Sequence, residues 1–383
     1  MSMCATTSPE NLPSFTTEEE TRMTFMTKPL RAALLCAVAV LTAPSALTAQ
    51  DFAGETVEWT IPFGVGGGTD VWARFFAPQL SQALPGQPNV VVLNVPGGGS
   101  ITGANQFAAR ASTDGLSILG TSASTQYPAI LGDPRVRYDY ANWTAVLASP
   151  TGGVVYADPK YGVTGPEGLE TLRGQEIRFA SQGATALEMP VLLALKMMGL
   201  NIRPVFGMES RGAGRLAFER GEAGIDFQTS SAYLASVKPL VDSGKAVPLF
   251  SMGVVDAEGN VARDPSFPDL PTFVEFFTEA TGAAPEGEAF EAWKALMIAG
   301  YSLQKMVVLP KEAPPEVIAA YSEAARKIVE APDFRERAGE EIGVYEQLVG
   351  EAADAALKKA LTVDPAIRTF LTTWLSEDYG VRF

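Results

Sequence analysis

The sequence predicts a two-lobed α/β protein with a polar crevice between its lobes. Three observations predict it. Short apolar segments of strand type alternate with helical patterns, and small polar or glycine-rich loops stand where those strands end. The 383-residue length fits roughly two domains of 100–200 residues each. Hydrophobic residues make up 46%, enough to build two cores.

The elements follow in order. Val57–Phe63 is a short alternating strand. The loop Gly64-Val65-Gly66-Gly67-Gly68-Thr69-Asp70 comes next. Val71, Trp72, Phe75, Phe76 and Leu80 then recur at three- and four-residue spacing, which predicts a helix with Thr69 or Asp70 as its N-cap and Pro85-Gly86 as its end. Asn89–Leu93 is apolar throughout and reads as a buried parallel strand. Asn94-Val95-Pro96-Gly97-Gly98-Gly99-Ser100 is a second glycine loop, followed by a helix over Ile101–Ala111. Ser117–Gly120 is a third strand, ending in the polar cluster Thr121–Thr125. The rhythm then repeats: strand Ile177–Ala180, polar loop Ser181–Thr185, helix Ala186–Met198, and strands Gly224–Phe227 and Val247–Phe250. Thr278–Glu288 reads as a surface loop, and Pro314–Ala331 and Gly350–Leu361 as amphipathic helices. The expected division is 1–49 as upstream segment and export signal, 50–151 plus 266–383 as a discontinuous first lobe, and 152–265 as the second.

Composition removes whole classes of function. The formal net charge is −15, so nucleic acid and anionic membranes are disfavoured as partners, and an anionic ligand must be attracted at short range. There is no histidine, the commonest general base and metal ligand. Both cysteines, Cys4 and Cys36, lie near the N-terminus, leaving none for a nucleophile or zinc cluster in the body of the chain. Ser181, Ser210 and Ser230 have no histidine or S-x-x-K lysine to activate them. The sequence predicts no enzyme, cofactor or metal.

The segment from Met26 has the layout of an export signal. Lys28 and Arg31 precede the apolar stretch Ala32–Leu41, and Ala46–Ala49 offers small residues for cleavage after Ala49. The apolar run is well short of the roughly 20 residues a membrane span needs. Acidic residues in the polar Met1–Arg22 stretch suit initiation at Met23 or Met26. The expected location is the periplasm, with no membrane insertion.

The glycine loops are candidate anion seats. Without side chains they leave main-chain N–H groups free to point inward, and a helix N-terminus adds its dipole. The predicted ligand-binding set is Gly66, Gly67, Thr69, Asp70, Gly97, Gly98 and Ser100, with hydroxyls from Thr121, Ser122, Ser181 and Thr185. Asp70 is read as a cap or hinge acceptor. A dinucleotide site fits poorly: Thr69 replaces the last glycine of G-x-G-x-x-G, and the next strand ends in Leu93-Asn94 rather than an acid.

At these loops the sequence resembles the Bug, or TctC-like, family of extracytoplasmic receptors for tripartite tricarboxylate transporters, over essentially the whole mature chain. The run Pro62-Phe63-Gly64-Val65-Gly66-Gly67-Gly68-Thr69-Asp70-Val71-Trp72-Ala73-Arg74 is similar to the family's P-F-x-x-G-G-x-x-D-x-x-A-R. Asn94–Ser100 resembles its N-x-P-G-A-G-G loop, Ser181-Gln182-Gly183 its S-x-G loop, Arg211-Gly212 its K-G segment, and Phe267–Thr272 its L-P-D-V-P-T return. The resemblance implies a periplasmic-binding-protein fold of the type II-like Venus flytrap kind. It implies a small carboxylate held by the first lobe, closure by Ser181, Gly183, Thr185 and Asp226 of the second, and delivery to membrane permease subunits by a monomer. A sensor of the same fold feeding a signalling partner is the alternative. Arg211 either pairs a second carboxylate or belongs to a surface cluster with Glu209 and Arg215. Val95, Ser210, Gln304 and the stretch Ala283–Gly300 depart from the family pattern where the distal half of a ligand would be read.

Overall fold

Two mixed sheets, joined by two crossings of the chain, organise everything between residues 50 and 383. The computed structural model describes residues 50–256 and 259–383, which pack as a single unit. The expected export signal and its cleavage point lie outside the described residues. Among the described residues no helix is long and apolar enough to cross a membrane.

From the N-terminus come β1 (Thr56–Ile61), α1 (Gly68–Ala83), β2 (Asn89–Asn94), α2 (Ile101–Arg110), β3 (Ser117–Ser122), α3 (Ala123–Leu131) and β4 (Trp143–Ser149). Next are β5 (Gly153–Ala157), α4 (Leu169–Arg173), β6 (Glu176–Ser181), α5 (Met189–Met197), β7 (Asn201–Phe206), α6 (Arg211–Glu219), β8 (Ile225–Thr229), α7 (Ser230–Ala232), α8 (Lys238–Asp242) and β9 (Val247–Ser251). A short hairpin, β10 (Val254–Val255) and β11 (Val261–Ala262), precedes α9 (Phe273–Thr281) and α10 (Glu288–Gly300). The chain ends with β12 (Lys305–Pro310), α11 (Pro315–Val329), α12 (Phe334–Glu341), β13 (Leu348–Val349), α13 (Glu351–Ala360) and α14 (Pro365–Tyr379).

The first sheet has the order β13-β4-β12-β3-β1-β2 and the second β7-β6-β8-β5-β9. In the first, β1 runs parallel to β2 and β3, while β12 lies antiparallel between β3 and β4. In the second, β6 runs parallel to β7 and β8, while β5 lies antiparallel to β8 and β9. The chain leaves the first sheet after Ser149 and re-enters it at Lys305. The late return strand β12 therefore fills the middle of the sheet, between β3 and β4, and β13 follows it at the edge beside β4.

Several expected boundaries move. Asn89–Asn94 is the edge strand of its sheet and half exposed, because nothing pairs beyond it; it is not the buried central strand its apolar run suggested. Thr121 and Ser122 belong to β3, and the helix begins directly after them, capped by Ser122. The cap of α1 is Gly67, ahead of both Thr69 and Asp70. The expected surface loop Thr278–Glu288 is shorter, 282–287, because its first four residues end α9 and Glu288 begins α10.

The core also divides the C-terminal part of the chain differently from the expected boundary at 266. One apolar cluster joins Phe179 and Phe227 of the second sheet to Tyr127 of α3, Trp293 of α10 and Trp374 of α14. Elements on both sides of residue 266 thus share one core with the second sheet, and α3, which also packs against β3, links that core to the first sheet. Another cluster covers one face of the first sheet with α1 and α11. At its centre Trp72 is 1% exposed, packs edge-on to Trp59 at 5.3 Å and Phe76 at 5.5 Å, and donates its indole N–H to Ser149 Oγ at 2.8 Å. Trp72→Ala should lower unfolding free energy in urea by about 3–5 kcal/mol. A loss below about 1 kcal/mol would contradict this packing.

Candidate functional site

The first glycine loop is held by one carboxylate. Asp70, 2% exposed, accepts the Gly66 N–H at 2.9 Å through Oδ2. Its Oδ1 accepts Arg74 Nε and Asn94 Nδ2, each at 3.0 Å, and the same Asn94 amide donates to the Phe63 carbonyl at 2.9 Å. Gly66 takes φ of +80°, a conformation that favours glycine. The Gly66 amide, expected to face a ligand, is thus engaged by Asp70.

The amides that remain open come next. Gly67 caps α1 without any side-chain hydrogen bond. Val71 is the first residue to bond back, to the Gly67 carbonyl at 3.0 Å, so the first-turn amides of Gly68, Thr69 and Asp70 precede any intrahelical acceptor. The positive end of a 16-residue helix is presented at this point.

The second sheet brings another helix N-terminus to the same place. Ser210 caps α6 through Ala213 N–H at 3.2 Å, and the Gly64 N–H donates to the Glu209 carbonyl at 2.9 Å. The fit is close enough to require glycine twice. A Cβ on Gly212 would lie 2.7 Å from the Gly66 carbonyl oxygen, and one on Gly68 would lie 1.9 Å from Thr229 Oγ1. Phe63, Gly67, Gly68, Thr69, Ser122, Gln182, Leu187, Ser210, Arg211, Thr229 and Gln304 surround a space of about 10 Å³, room for one water. Gln182 Nε2, Thr229 Oγ1 and Gln304 Oε1, all in this lining, are buried without a hydrogen-bond partner.

Arg211 also lines this space, buried rather than in a surface cluster, but its guanidinium is fully used. Nη1 donates to the Ala180 carbonyl at 2.6 Å and to Glu188 Oε1 at 2.8 Å. Nε donates to the Phe227 carbonyl at 3.1 Å, and Nη2 to that carbonyl and to Asp226 Oδ1. Asp226 in turn accepts from Tyr156 and Gln228. Burial opposes the Arg211 charge, yet Asp226 and Glu188 outweigh it and hold its pKa above the ordinary value. Asp226 does not line the space; it anchors Arg211 from behind.

The second glycine loop lines a different, larger cleft of about 620 Å³, together with Arg135, Gly183, Thr185, Met208 and Tyr379–Arg382. Gly97, Gly98 and Gly99 all take positive φ, and Ser100 follows at +110° with its side chain buried. The two loops therefore do not converge on one small seat; Gln182, which borders both spaces, connects them. Ser181 ends β6 with its hydroxyl at 3.3 Å from the Gly183 main chain, and Thr121 is fully buried in β3.

Sequence reasoning missed Lys305. It opens β12, pairs across to Ser122 of β3 and Ser149 of β4, and is 1% exposed. Its Nζ has only two hydroxyls in reach, Ser231 Oγ at 3.3 Å and Thr151 Oγ1 at 3.5 Å, long for charge-assisted bonds. Among the described residues no carboxylate forms an ion pair with it. Burial pushes its pKa down to about 7. A lysine at the head of the apolar run Met306–Leu309 reads as an exposed strand end, and the S-x-x-K match Ser302-Leu303-Gln304-Lys305 says nothing of its burial.

Comparison with known proteins follows this geometry. No family profile matches the chain. A UPF0065 protein of Bordetella pertussis is 28% identical over 255 residues, covering 65% of this chain and 74% of the relative. The protein BugT of the same organism is 36% identical over 91 residues, 24% of this chain and 26% of BugT. Among solved structures, the periplasmic binding protein BugD superposes with a TM-score of 0.64 at 20% identity, over 86% of this chain and 99% of BugD. MatC of Rhodopseudomonas palustris with bound malate gives 0.59 at 18% identity, over 84% and 98%. A TctC solute-binding protein of Polaromonas gives 0.51 at 17% identity, over 84% and 99%. These structural likenesses establish the two-lobed binding-protein fold.

The buried lysine has a measurable cost in the protein without added ligand. Its folded pKa, about 7, lies below the roughly 10.4 of an unfolded chain. Between these values the unfolded state holds a proton that the folded state has released, so stability rises with pH across that window. Below pH 7 the full cost of burying the charge applies. Lys305→Met should be more stable than the parent at pH 6, by on the order of 4 kcal/mol at most, and the gap should close by pH 10. Denaturant titrations at both pH values check this; a gap that does not change with pH would contradict it.

Proposed function

Because the chain is Bug/TctC-like in sequence and fold, we propose that it is a periplasmic solute-binding protein that captures a small carboxylate for a tripartite tricarboxylate-type transporter. One observation carries the reading. The uncapped N-terminus of α1 faces the N-terminus of α6 and three unpartnered polar side chains, in a crevice between the two sheets. Two positive helix ends brought together repel each other unless an anion lies between them. A carboxylate there would take the amides of Gly67, Gly68 and Thr69 on one side, and Thr229 and Gln182 on the other.

The space of about 10 Å³ is too small for any acid, so the ligand enters only if the sheets move apart about the crossings at Pro150–Gly152 and near Ser251–Thr272. The bond from Gly64 to Glu209 and the contact of Gly212 with Gly66 would break on opening and re-form on closure. The 620 Å³ cleft beyond Gln182 would receive the distal part of a longer acid. No chemistry on the ligand is required, in keeping with a chain that contains no histidine. MatC, the structural neighbour described with malate, makes C4 acids the first to test. The monomeric state and the permease as partner belong to the same proposal.

A thermal-shift screen over mono-, di- and tricarboxylates, with their amides as neutral controls, should give stabilisation by acids alone. No shift with any acid would overturn the reading. Gly68→Ala keeps an ordinary helical backbone, but its methyl would overlap Thr229 Oγ1 when the sheets are closed, so the variant should fold with the crevice held open and lose at least about tenfold in affinity by calorimetry. Undiminished affinity would place the ligand elsewhere.

A further inference from the structure

We infer that Lys305 is the counter-charge for the bound acid and that its ammonium makes capture of the acid proton-linked. The inference rests on the carboxylate-binding reading above and adds a specificity residue to it. Two buried cations stand at the crevice. Arg211 is neutralised by Glu188 and Asp226 and has a protein acceptor for each nitrogen, so it has no bond to offer a ligand. Lys305 is the opposite case: three donor protons, two long hydroxyl contacts and no carboxylate partner among the described residues.

Its position is between the sheets. Lys305 belongs to the first sheet, yet Ser231, its nearer partner, lies two residues after β8 of the second. Ser231 also donates to the Gly68 carbonyl at 3.1 Å, and its oxygen would be 3.2 Å from a Cβ on Gly68. The ammonium therefore sits one hydroxyl behind the wall that Gly68 and Thr229 form. A ligand carboxylate entering that wall meets a cation across a dry, low-dielectric gap, where attraction is felt beyond contact distance. Opening the crevice separates Ser231 from Gly68 and gives the carboxylate a direct approach.

The groups around Lys305 keep the proton linkage simple. Ser122 on β3, Ser149 on β4, Thr151 in the crossing and Ser231 in α7 are hydroxyls and do not titrate here. Asp264 and Tyr345 are the ionisable groups reached through Ser230, the neighbour of Ser231. Burial pushes Asp264 up to about 6, so it is largely ionised above pH 7, and Tyr345 well above its ordinary value, so it stays protonated. The Arg211–Glu188–Asp226 cluster is closed on itself. Lys305, pushed down to about 7 in the free protein, is the group that responds in that interval, and a bound anion raises its affinity for the proton.

The test is calorimetry on the wild-type protein, Lys305→Met and Lys305→Arg with malate and adipate, both fully ionised from pH 7 to 9, and with citrate, whose third carboxyl is still partly protonated at pH 7, so that its protons are counted at pH 8 and 9. Titrations in two buffers of different ionisation enthalpy count the protons taken up. Wild type should bind the preferred acid with uptake approaching one proton at pH 8, and its affinity should fall at least about tenfold from pH 7 to pH 9. Lys305→Met should bind at least about 30-fold more weakly at pH 7, with no uptake and no pH dependence. Lys305→Arg should bind without the pH dependence or not at all. If wild type binds an acid with neither proton uptake nor a pH-dependent affinity, the Lys305 inference falls while the binding-protein reading stands, and the wild-type titrations decide this whether or not the variants fold. Equal affinity of Lys305→Met has the same meaning. If wild type binds none of the acids, both fall together.

Discussion

The proposed anion seat draws on main-chain dipoles and one buried charge, because the surface repels anions. With a formal charge of −15, long-range attraction works against an anionic ligand. The structure concentrates positive potential in one place: the first turn of α1, the start of α6 and the Lys305 ammonium. The start of α1 and Lys305 are kept from being neutralised by the protein itself. Gly67 provides no side chain to cap α1, Asp70 turns its carboxylate to the loop and Arg74, and Lys305 meets only hydroxyls. Two glycines, at 68 and 212, let the parts approach closely enough to act together.

The supporting network is as specific as the seat. Arg211 is pinned by two carboxylates and three main-chain contacts to two carbonyls, so the front of α6 is rigidly tied to β6 and β8. A buried cluster of this kind is costly to break and gives the second sheet one defined face toward the crevice. The first sheet achieves the same with Trp72 and Ser149, which lock α1 against β4.

Much of the fold was legible because period and punctuation agreed. The Val71–Leu80 face, the two glycine loops and the strands at 177–180, 225–227 and 247–250 all lie where alternation and turn residues put them. Asn89–Asn94 misled because an apolar run carries no record of whether a neighbour pairs beyond it; it is an edge. β12 was invisible for the opposite reason: its place between β3 and β4 depends on a pairing with strands more than 150 residues away in sequence. Thr69, Ser122 and Gly67 could be nominated from local loop chemistry. Thr229, Gln182 and Lys305 could not, since each becomes part of the crevice only when the two sheets are brought together. Asp70 is the hydrogen-bond acceptor its place in the loop suggested, holding Gly66, whereas Asp226, expected to close over a ligand, is scaffolding for Arg211.

The most direct measurement is amide NMR of the ¹⁵N-labelled protein, titrated with the tightest-binding acid and with its neutral amide. The account predicts that the N–H signals of Gly67, Gly68 and Thr69 move downfield with the acid and stay in place with the amide, as main-chain donors gain a charged acceptor. Acid-induced shifts confined to Gly97–Gly99, with the start of α1 unmoved, would contradict it.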